Sequence, residues 1–379
     1  MAVVHSGRKK PYWKSVPCLK IPSWKEKGTK VPHHFIGSVG KMKLPGQAMK
    51  HNPLEHPGKF QPLPLLFNAH AQTLLAYLFK PRLGEFPSRE VILQLSDGDS
   101  LLLMDSRPPL WEPGHPAVIL VHGLAGCHNS SHVVRVGNYL FRQGWRVIRM
   151  NQRGAGPGIG LAKRPYNAGR SSDVREVFHH VQDAKNPSPL FLAGFSLGGN
   201  LVLKLGLETP DLPGLAGIAA MGPPIDLLAC SRLISQKKNR IYEKHFLAHL
   251  RREVEKRIQL FPDHHPPAFP KTLSLFSFDD LYTAPRGGFS GADEYYRLCS
   301  TASLIPSLQV PTFILTAHDD PFIAVAPFEP IPKTDYVEVE IASHGGHLGF
   351  LGRDRNGGIR WGETRIIHWL ESQARAWNR

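Results

Sequence analysis

The chain has 379 residues, 41% of them hydrophobic, and a formal net charge of +15 at pH 7. This length and apolar content are enough for one large core or two ordinary domains. No window reaches the roughly 18 uninterrupted apolar residues that a spanning helix needs, and the N-terminal region lacks the apolar core of a secretory signal. We therefore expect neither a transmembrane helix nor a signal peptide.

The excess positive charge is concentrated near the N-terminus. Residues 1–50 contain eleven Lys and Arg residues and one acidic residue, so the remainder of the chain is nearly balanced. This segment is rich in Pro, Gly and Lys and has no apolar period, which predicts a disordered or extended tail over 1–57 and a folded domain over 58–375. A solvated extension is the simpler interpretation. Weak contact with an anionic membrane surface is the alternative, and we expect no nucleic-acid partner.

Cysteine usage bears on cofactors and on the cellular compartment. Cys18, Cys127, Cys230 and Cys299 are scattered and form neither a C-x-x-C pair nor a Cys/His spacing typical of metal sites. We expect no metal or organic cofactor, and a reducing compartment is the default. The sequence thus favours a cytoplasmic location, with organellar import through the tail as the alternative. The oligomeric state stays open.

Predicted strands alternate with predicted helices from about residue 60 onward. The predicted strands are 91–95, 101–105, 117–121, 145–150, 189–193, 215–220, 312–316 and 335–341, and the predicted helices are 131–143, 171–184, 197–208 and 360–376. The first two strands form a hairpin around the turn SDGD. The later alternation implies an α/β fold, in which a mostly parallel sheet of eight strands is covered by helices on both faces.

The segment 226–310 interrupts this alternation. Its 85 residues are far more than an ordinary connection needs. Residues 234–260 combine basic side chains with apolar residues at helical spacing, and 276–296 is rich in Phe and Tyr. We predict a helical cap over the sheet, with an apolar inner surface that excludes water. Most of the aromatic side chains should pack the cap onto the core, a few should line the pocket, and the basic residues should form a solvated face.

The strongest functional signal follows the buried run at 189–193. The next residues, 194–199, read GFSLGG, and a helix is predicted to start near Leu197. A strand, a sharp turn and a helix form the setting of a nucleophile elbow, in which Ser196 is exposed above the sheet. Gly194 and Gly198 then leave room where a Cβ would collide with backbone. The Leu197 N–H points at a developing oxyanion, although an ordinary strand–helix turn would read the same way.

Three further segments place polar groups after predicted strands. The sequence HGLAG at 122–126 follows the third strand, where such enzymes keep a second oxyanion donor, here the Leu124 N–H. The acids Asp319 and Asp320 follow the seventh strand, and the segment HGGH at 344–347 follows the eighth. The chain order Ser, Asp, His is the one expected for this architecture, and the carboxyl ends of parallel strands meet at one edge. Spacing alone does not choose between the two acids.

Seven motifs together carry a resemblance to a known family. They are HGLAG at 122–126, NQRG at 151–154, GFSLGGN at 194–200, FDD at 278–280, YYRLCS at 295–300, DDPF at 319–322 and HGGHLGF at 344–350. This set resembles the YheT-like, or EMB8-like, α/β-hydrolases, a group of serine esterases with eukaryotic lipid-acting relatives. The resemblance implies an α/β-hydrolase fold with a cap insertion. It also implies a triad of Ser196, Asp320 and His347, with no cofactor.

The residues and the resemblance predict the same chemistry. We expect a serine hydrolase that cleaves carboxylic esters or lipids, with an apolar acyl group, through an acyl-enzyme. One alternative is an acyltransferase, in which an alcohol instead of water accepts the acyl group. Another is a binding protein that keeps the hydrolase scaffold without turnover. The sequence does not give the acyl-chain length or the head group.

Overall fold

The computed structural model describes residues 54–78, 86–182 and 187–377. Most of the tail predicted over 1–57 therefore lies outside the described residues. Its last four residues are described, and they contact the folded domain. The Leu54 N–H donates to the Glu371 carboxylate at 3.3 Å, and Glu55 exchanges two backbone–side-chain hydrogen bonds with Asn356, at 3.0 and 3.1 Å. Leu54 and Glu55, which belong to the predicted tail, thus form hydrogen bonds with the folded domain.

One eight-stranded sheet forms the centre of the domain, as predicted. The strands are β1 (Arg89–Gln94), β2 (Ser100–Ser106), β3 (Ala117–Val121), β4 (Arg146–Met150), β5 (Leu190–Phe195), β6 (Leu215–Met221), β7 (Thr312–Ala317) and β8 (Val337–Ala342). Their order across the sheet is β1-β2-β4-β3-β5-β6-β7-β8. The strand β2 pairs antiparallel with β1 and β4, and all other pairs are parallel. The carboxyl ends of β3, β5, β7 and β8 therefore share one edge.

Helices cover both faces of this sheet, which explains the continuous apolar runs of its central strands. Every residue of β3, β5 and β7 is buried. The helices outside the cap are α1 (Ala69–Leu78), α2 (Ser131–Arg142), α3 (Ser171–Val181), α4 (Leu197–Glu208) and α10 (Trp361–Trp377). One core cluster joins α3 and α4 to one face, and a second joins α2 and α10 to the other. Within the described residues, no helix is long and apolar enough to cross a membrane.

The insertion between β6 and β7 is helical, as its sequence predicted. It contains α5 (Leu227–Ile234), α6 (Arg240–Leu260), α7 (Leu275–Phe278), α8 (Ala284–Gly287) and α9 (Ala292–Cys299). The side chain of Asp226 accepts a hydrogen bond from the Ala229 N–H at 2.9 Å and so caps the start of α5. The prediction of a solvated basic face is wrong at Arg257, because this side chain points into the cap and is buried.

A buried ion cluster ties the loop after β4 to the first hairpin. Arg153, from the NQRG motif, is only 2% exposed and contacts Asp97 at 2.8 Å, Asp99 at 2.7 Å and Asp173 at 2.6 Å. Because Asp173 lies at the start of α3, the cluster joins three separate parts of the chain. Three carboxylates around one guanidinium satisfy a charge that would otherwise be expensive to bury.

Replacing this arginine should destabilise the fold. Arg153→Gln leaves the buried Asp173 carboxylate without its cation, so we expect the free energy of unfolding to fall by about 3 kcal/mol or more in urea titrations. Arg164→Gln is the matched control, because Arg164 pairs with Asp97 from a side chain that is 48% exposed. The control should lose less than about 1 kcal/mol. Equal losses in the two variants would contradict the role given to the cluster.

The first residue of the loop after β3 is a fully buried histidine. His122 Nδ1 lies 2.8 Å from the Gly123 carbonyl oxygen, and Nε2 accepts a hydrogen bond from the Gln152 N–H at 3.0 Å. This pairing requires a neutral ring with its proton on Nδ1. Burial lowers the pKa of His122 to about 4. The ring therefore fixes the shape of the loop and stays uncharged at neutral pH.

This buried ring predicts an acid-dependent loss of stability. Between the ordinary histidine pKa and the folded value of about 4, the unfolded chain binds a proton that the folded chain does not. The contribution of the neutral His122 ring to the free energy of unfolding is thus nearly complete above about pH 6.5. It is about 2 kcal/mol smaller at pH 5. Urea unfolding of wild type and His122→Gln at both pH values checks this. The pH-dependent loss should be about 2 kcal/mol smaller in the variant, and identical losses would disprove the assignment.

Candidate active site

Ser196 is the single residue between the end of β5 and the start of α4. Its backbone angles are φ 52° and ψ −124°, which is an uncommon conformation for a residue with a side chain. A Cβ on Gly194 would lie 2.2 Å from the Gly198 carbonyl oxygen, and a Cβ on Gly198 would lie 2.3 Å from that of Val121. Both glycines are therefore required for the close approach of strand, turn and helix.

The structure brings Ser196, His347 and Asp320 together although they are far apart in sequence. The Ser196 Oγ lies 3.0 Å from His347 Nε2, and His347 Nδ1 lies 2.8 Å from Asp320 Oδ2. The Asp320 and His347 side chains are only 1% and 8% exposed. The other oxygen of Asp320 accepts backbone N–H groups of Phe322 and Ile323 at 3.0 and 2.9 Å. The carboxylate is thus held by its own turn and aligned on the imidazole.

The neighbouring acid and histidine form a separate pair outside this cluster. Asp319 Oδ2 lies 3.4 Å from His344 Nδ1, and Asp319 Oδ1 accepts the Gly346 N–H at 2.9 Å. The His344 side chain is 40% exposed. This second pair joins the loop after β7 to the loop after β8, without reaching Ser196. The sequence separations of the two Asp–His pairs differ by only two residues, which explains why spacing alone left both acids open.

The two amides predicted to bind an oxyanion lie on either side of Ser196. Leu197 is the first residue of α4, so its N–H has no intrahelical acceptor. In the loop after β3, the Gly126 N–H bonds the Gly123 carbonyl at 3.1 Å and the Ala125 N–H bonds the Tyr166 hydroxyl at 3.0 Å. The Leu124 N–H has no hydrogen-bond partner among the residues that the structure describes. A Cβ on Gly123 would lie 2.9 Å from that of Ser196, which shows how closely this loop approaches.

Two residues that support the imidazole were not anticipated from the sequence. The Thr73 hydroxyl, on α1, accepts the His347 backbone N–H at 2.9 Å. The Phe322 ring packs against the imidazole with 4.0 Å between ring centroids. The DDPF motif contained Phe322 but gave no role for it. No local pattern identifies Thr73, because α1 approaches the loop after β8 only in the folded chain.

Ser196 lines two cavities. One, of about 110 Å³, lies under the cap and has mostly apolar and aromatic walls, including Phe246, Leu250, Val254, Leu275, Phe278 and Tyr282. More of the cap aromatics line it than we predicted. The other, of about 330 Å³, is lined by α1, the loop after β3 and His347. Leu124, Phe246 and Phe322 line both cavities, whereas His347 lines only the second.

The cap motifs attach the cap to the core. The Asn200 side chain, on α4, donates to the Cys299 carbonyl at 2.9 Å, and the Tyr296 hydroxyl donates to Asp279 at 2.7 Å. Burial raises the pKa of Asp279 to about 6. Cys299, Tyr296 and Asp279 belong to the cap, and the last two also line its cavity. The structure thus gives the FDD and YYRLCS motifs a structural role.

Comparisons with known proteins agree with this fold. Residues 116–354 match the model of the alpha/beta hydrolase fold family. The Escherichia coli protein named "Putative esterase YheT" is 31% identical, over 86% of this chain and 96% of that protein. A Saccharomyces cerevisiae monoacylglycerol lipase is 26% identical, over 68% of this chain and 59% of the lipase.

A solved structure supports the fold alone. The crystal structure of 2,6-dihydroxy-pseudo-oxynicotine hydrolase superimposes with a TM-score of 0.53 at 17% identity, covering 81% of this chain and 72% of that one. The eight-stranded sheet, the matching family model and the esterase and lipase relatives lead to one conclusion. The chain belongs to the α/β-hydrolase family, where it is an ester hydrolase related to YheT, as its motifs predicted.

Proposed function

We propose that this protein cleaves carboxylic esters with an apolar acyl group through a triad of Ser196, His347 and Asp320. The observation that carries the proposal is the continuous relay from the Ser196 hydroxyl through both ring nitrogens of His347 to the Asp320 carboxylate, with contacts of 3.0 and 2.8 Å. Nothing about ligand binding requires such a relay, whereas acyl transfer through serine does.

The first half of the reaction forms an acyl-enzyme. As Ser196 Oγ bonds to the ester carbonyl carbon, its proton passes to His347 Nε2. The Asp320 carboxylate keeps the ring proton on Nδ1 and stabilises the imidazolium. The carbonyl oxygen becomes negative and accepts the Leu124 and Leu197 N–H groups, each commonly worth about 3 kcal/mol of transition-state stabilisation. The intermediate collapses when the carbon–oxygen bond to the alcohol breaks and Nε2 protonates the departing oxygen.

The two cavities suggest which part of the ester lies where. Because His347 Nε2 must protonate the leaving alcohol, that part occupies the cavity that His347 lines. The acyl group occupies the cavity under the cap, whose apolar and aromatic walls favour a hydrocarbon chain. Water then adds to the acyl-enzyme with His347 as the base, and the carboxylic acid leaves.

Removing the nucleophile should abolish turnover and leave the fold intact. For Ser196→Ala we expect hydrolysis of p-nitrophenyl octanoate to fall by about 10³-fold or more, with an unchanged circular dichroism spectrum. A fluorophosphonate probe should label the wild-type protein and not the variant. The other serines of the chain serve as the internal control. Retained turnover, or labelling of the variant, would refute the assignment.

The two adjacent acids provide a matched pair of variants. Asp320→Asn removes the charge that orients and stabilises the imidazolium, so kcat should fall by about 10⁴-fold. Asp319→Asn should have a far smaller effect, because Asp319 pairs with His344 and does not reach the relay. Steady-state kinetics on the same p-nitrophenyl ester checks this. If the two variants lose equal activity, or Asp319→Asn loses more, the choice of Asp320 is wrong.

A further inference from the structure

Arg257 is a buried cation in the wall of the cavity under the cap. It belongs to α6, is only 2% exposed, and lines the same cavity as Ser196 and Leu197. Its Nε is enclosed and has no hydrogen-bond partner. No hydrogen bond or ion pair joins its guanidinium to any residue that the structure describes. The acid one helical turn earlier, Glu253, pairs with His249 at 3.2 Å instead.

The loop after β4 provides the space for this side chain. Gly154, in the NQRG motif, has φ +66°, and a Cβ there would lie 2.2 Å from Arg257 Nη2. Any other residue at this position would both strain the backbone and displace the guanidinium. The preceding residue, Arg153, forms the ion cluster with three acids described above. The NQRG motif therefore contains Arg153, whose charge is neutralised by acids. Its glycine also leaves room for Arg257, which forms no ion pair with a described residue.

An unpaired buried charge has a free-energy cost that a ligand can remove. Taking a charged group out of water without a partner costs several kcal/mol in proteins. The guanidinium is planar and presents its N–H donors in a fork that matches a carboxylate or a phosphate. The cavity wall is mostly apolar but also contains Glu253 and Asp279, which contact His249 and Tyr296, respectively. At such a buried site a cation selects ligands by charge far more strongly than it would at the surface.

The location of Arg257 relative to His347 identifies the part of the ester that it faces. Arg257 lines the cavity under the cap, and His347 lines the other one. Under the proposed function the leaving alcohol lies beside His347, so the cavity with Arg257 holds the acyl part. We propose that Arg257 binds an anionic oxygen group carried by the acyl part of the substrate. The substrate class is then an ester whose apolar acyl chain also bears a carboxylate. This inference rests on the proposed ester hydrolysis.

Matched esters test the inference through turnover. The probes are p-nitrophenyl octanoate and the p-nitrophenyl monoester of octanedioic acid, which share the leaving group and the acyl length. Wild type should have the higher kcat/KM on the anionic ester. The ratio of anionic to neutral kcat/KM should fall by about tenfold or more in Arg257→Gln and by less in Arg257→Lys. Arg252→Gln, an exposed position on the same helix, is the control and should keep the wild-type ratio.

A second pair of esters separates the two locations that an anionic group could have. The octanoate ester of hydroxybenzoic acid carries its carboxylate in the leaving group, and phenyl octanoate is its neutral counterpart. Their kcat/KM ratio should be the same in wild type and in Arg257→Gln. A loss confined to this pair would overturn the acyl-side location. A wild-type preference for the neutral acyl chain would overturn the inference itself.

Ligand-binding measurements test the anion site at Arg257 independently of ester turnover. Isothermal titration calorimetry on Ser196→Ala compares monomethyl octanedioate with methyl octanoate, and adding Arg257→Gln should weaken only the anionic ligand, by about tenfold or more. Equal affinities for both ligands in the single variant would refute the anion site even if esters are hydrolysed. If no ester is hydrolysed, the proposed function fails, and this titration still tests the site. Circular dichroism checks that each variant is folded.

Discussion

The close contact around Ser196 is the constraint on which the rest of the site depends. The turn places a serine in a left-handed conformation, with the helix backbone pressed against the strand at Gly194 and against the neighbouring strand at Gly198. A backbone strained in this way persists only where the surroundings determine it fully. Here the buried central sheet does so, and the loop after β3 touches the serine through Gly123. The proposed nucleophile and oxyanion donors are therefore held in place by contact with the core.

Two buried arginines show how the same chemistry serves different purposes. Arg153 is surrounded by carboxylates, and its charge holds the first hairpin, a loop and a helix together. Arg257 has no such partner and lines the cavity under the cap. Both are equally buried, so burial alone does not distinguish a structural cation from one that faces a ligand. The difference lies in the surrounding acids, because a satisfied charge contributes to the fold and an unsatisfied one is available for binding.

Much of the fold could be predicted because its elements have clear local signals. Continuous apolar runs marked the central strands, and the hairpin turn marked the antiparallel edge. The cap was predictable as an insertion, yet its inward face was not. Arg257 looked like one more member of a basic surface, since helical spacing shows which residues share a face and does not show what packs against it. Thr73 gave no signal, because its partner is 274 positions away.

The sequence by itself determined the class of chemistry. A serine between close-packed glycines, followed later by an acid and a histidine after further strands, fits few other arrangements. The tertiary structure decided which of two Asp–His pairs reaches the serine, since the spacings of Asp319–His344 and Asp320–His347 along the chain differ by only two residues. It also decided which cavity contains the histidine and which contains the unpaired cation. Both depend on distances between residues remote in sequence, which local patterns do not encode.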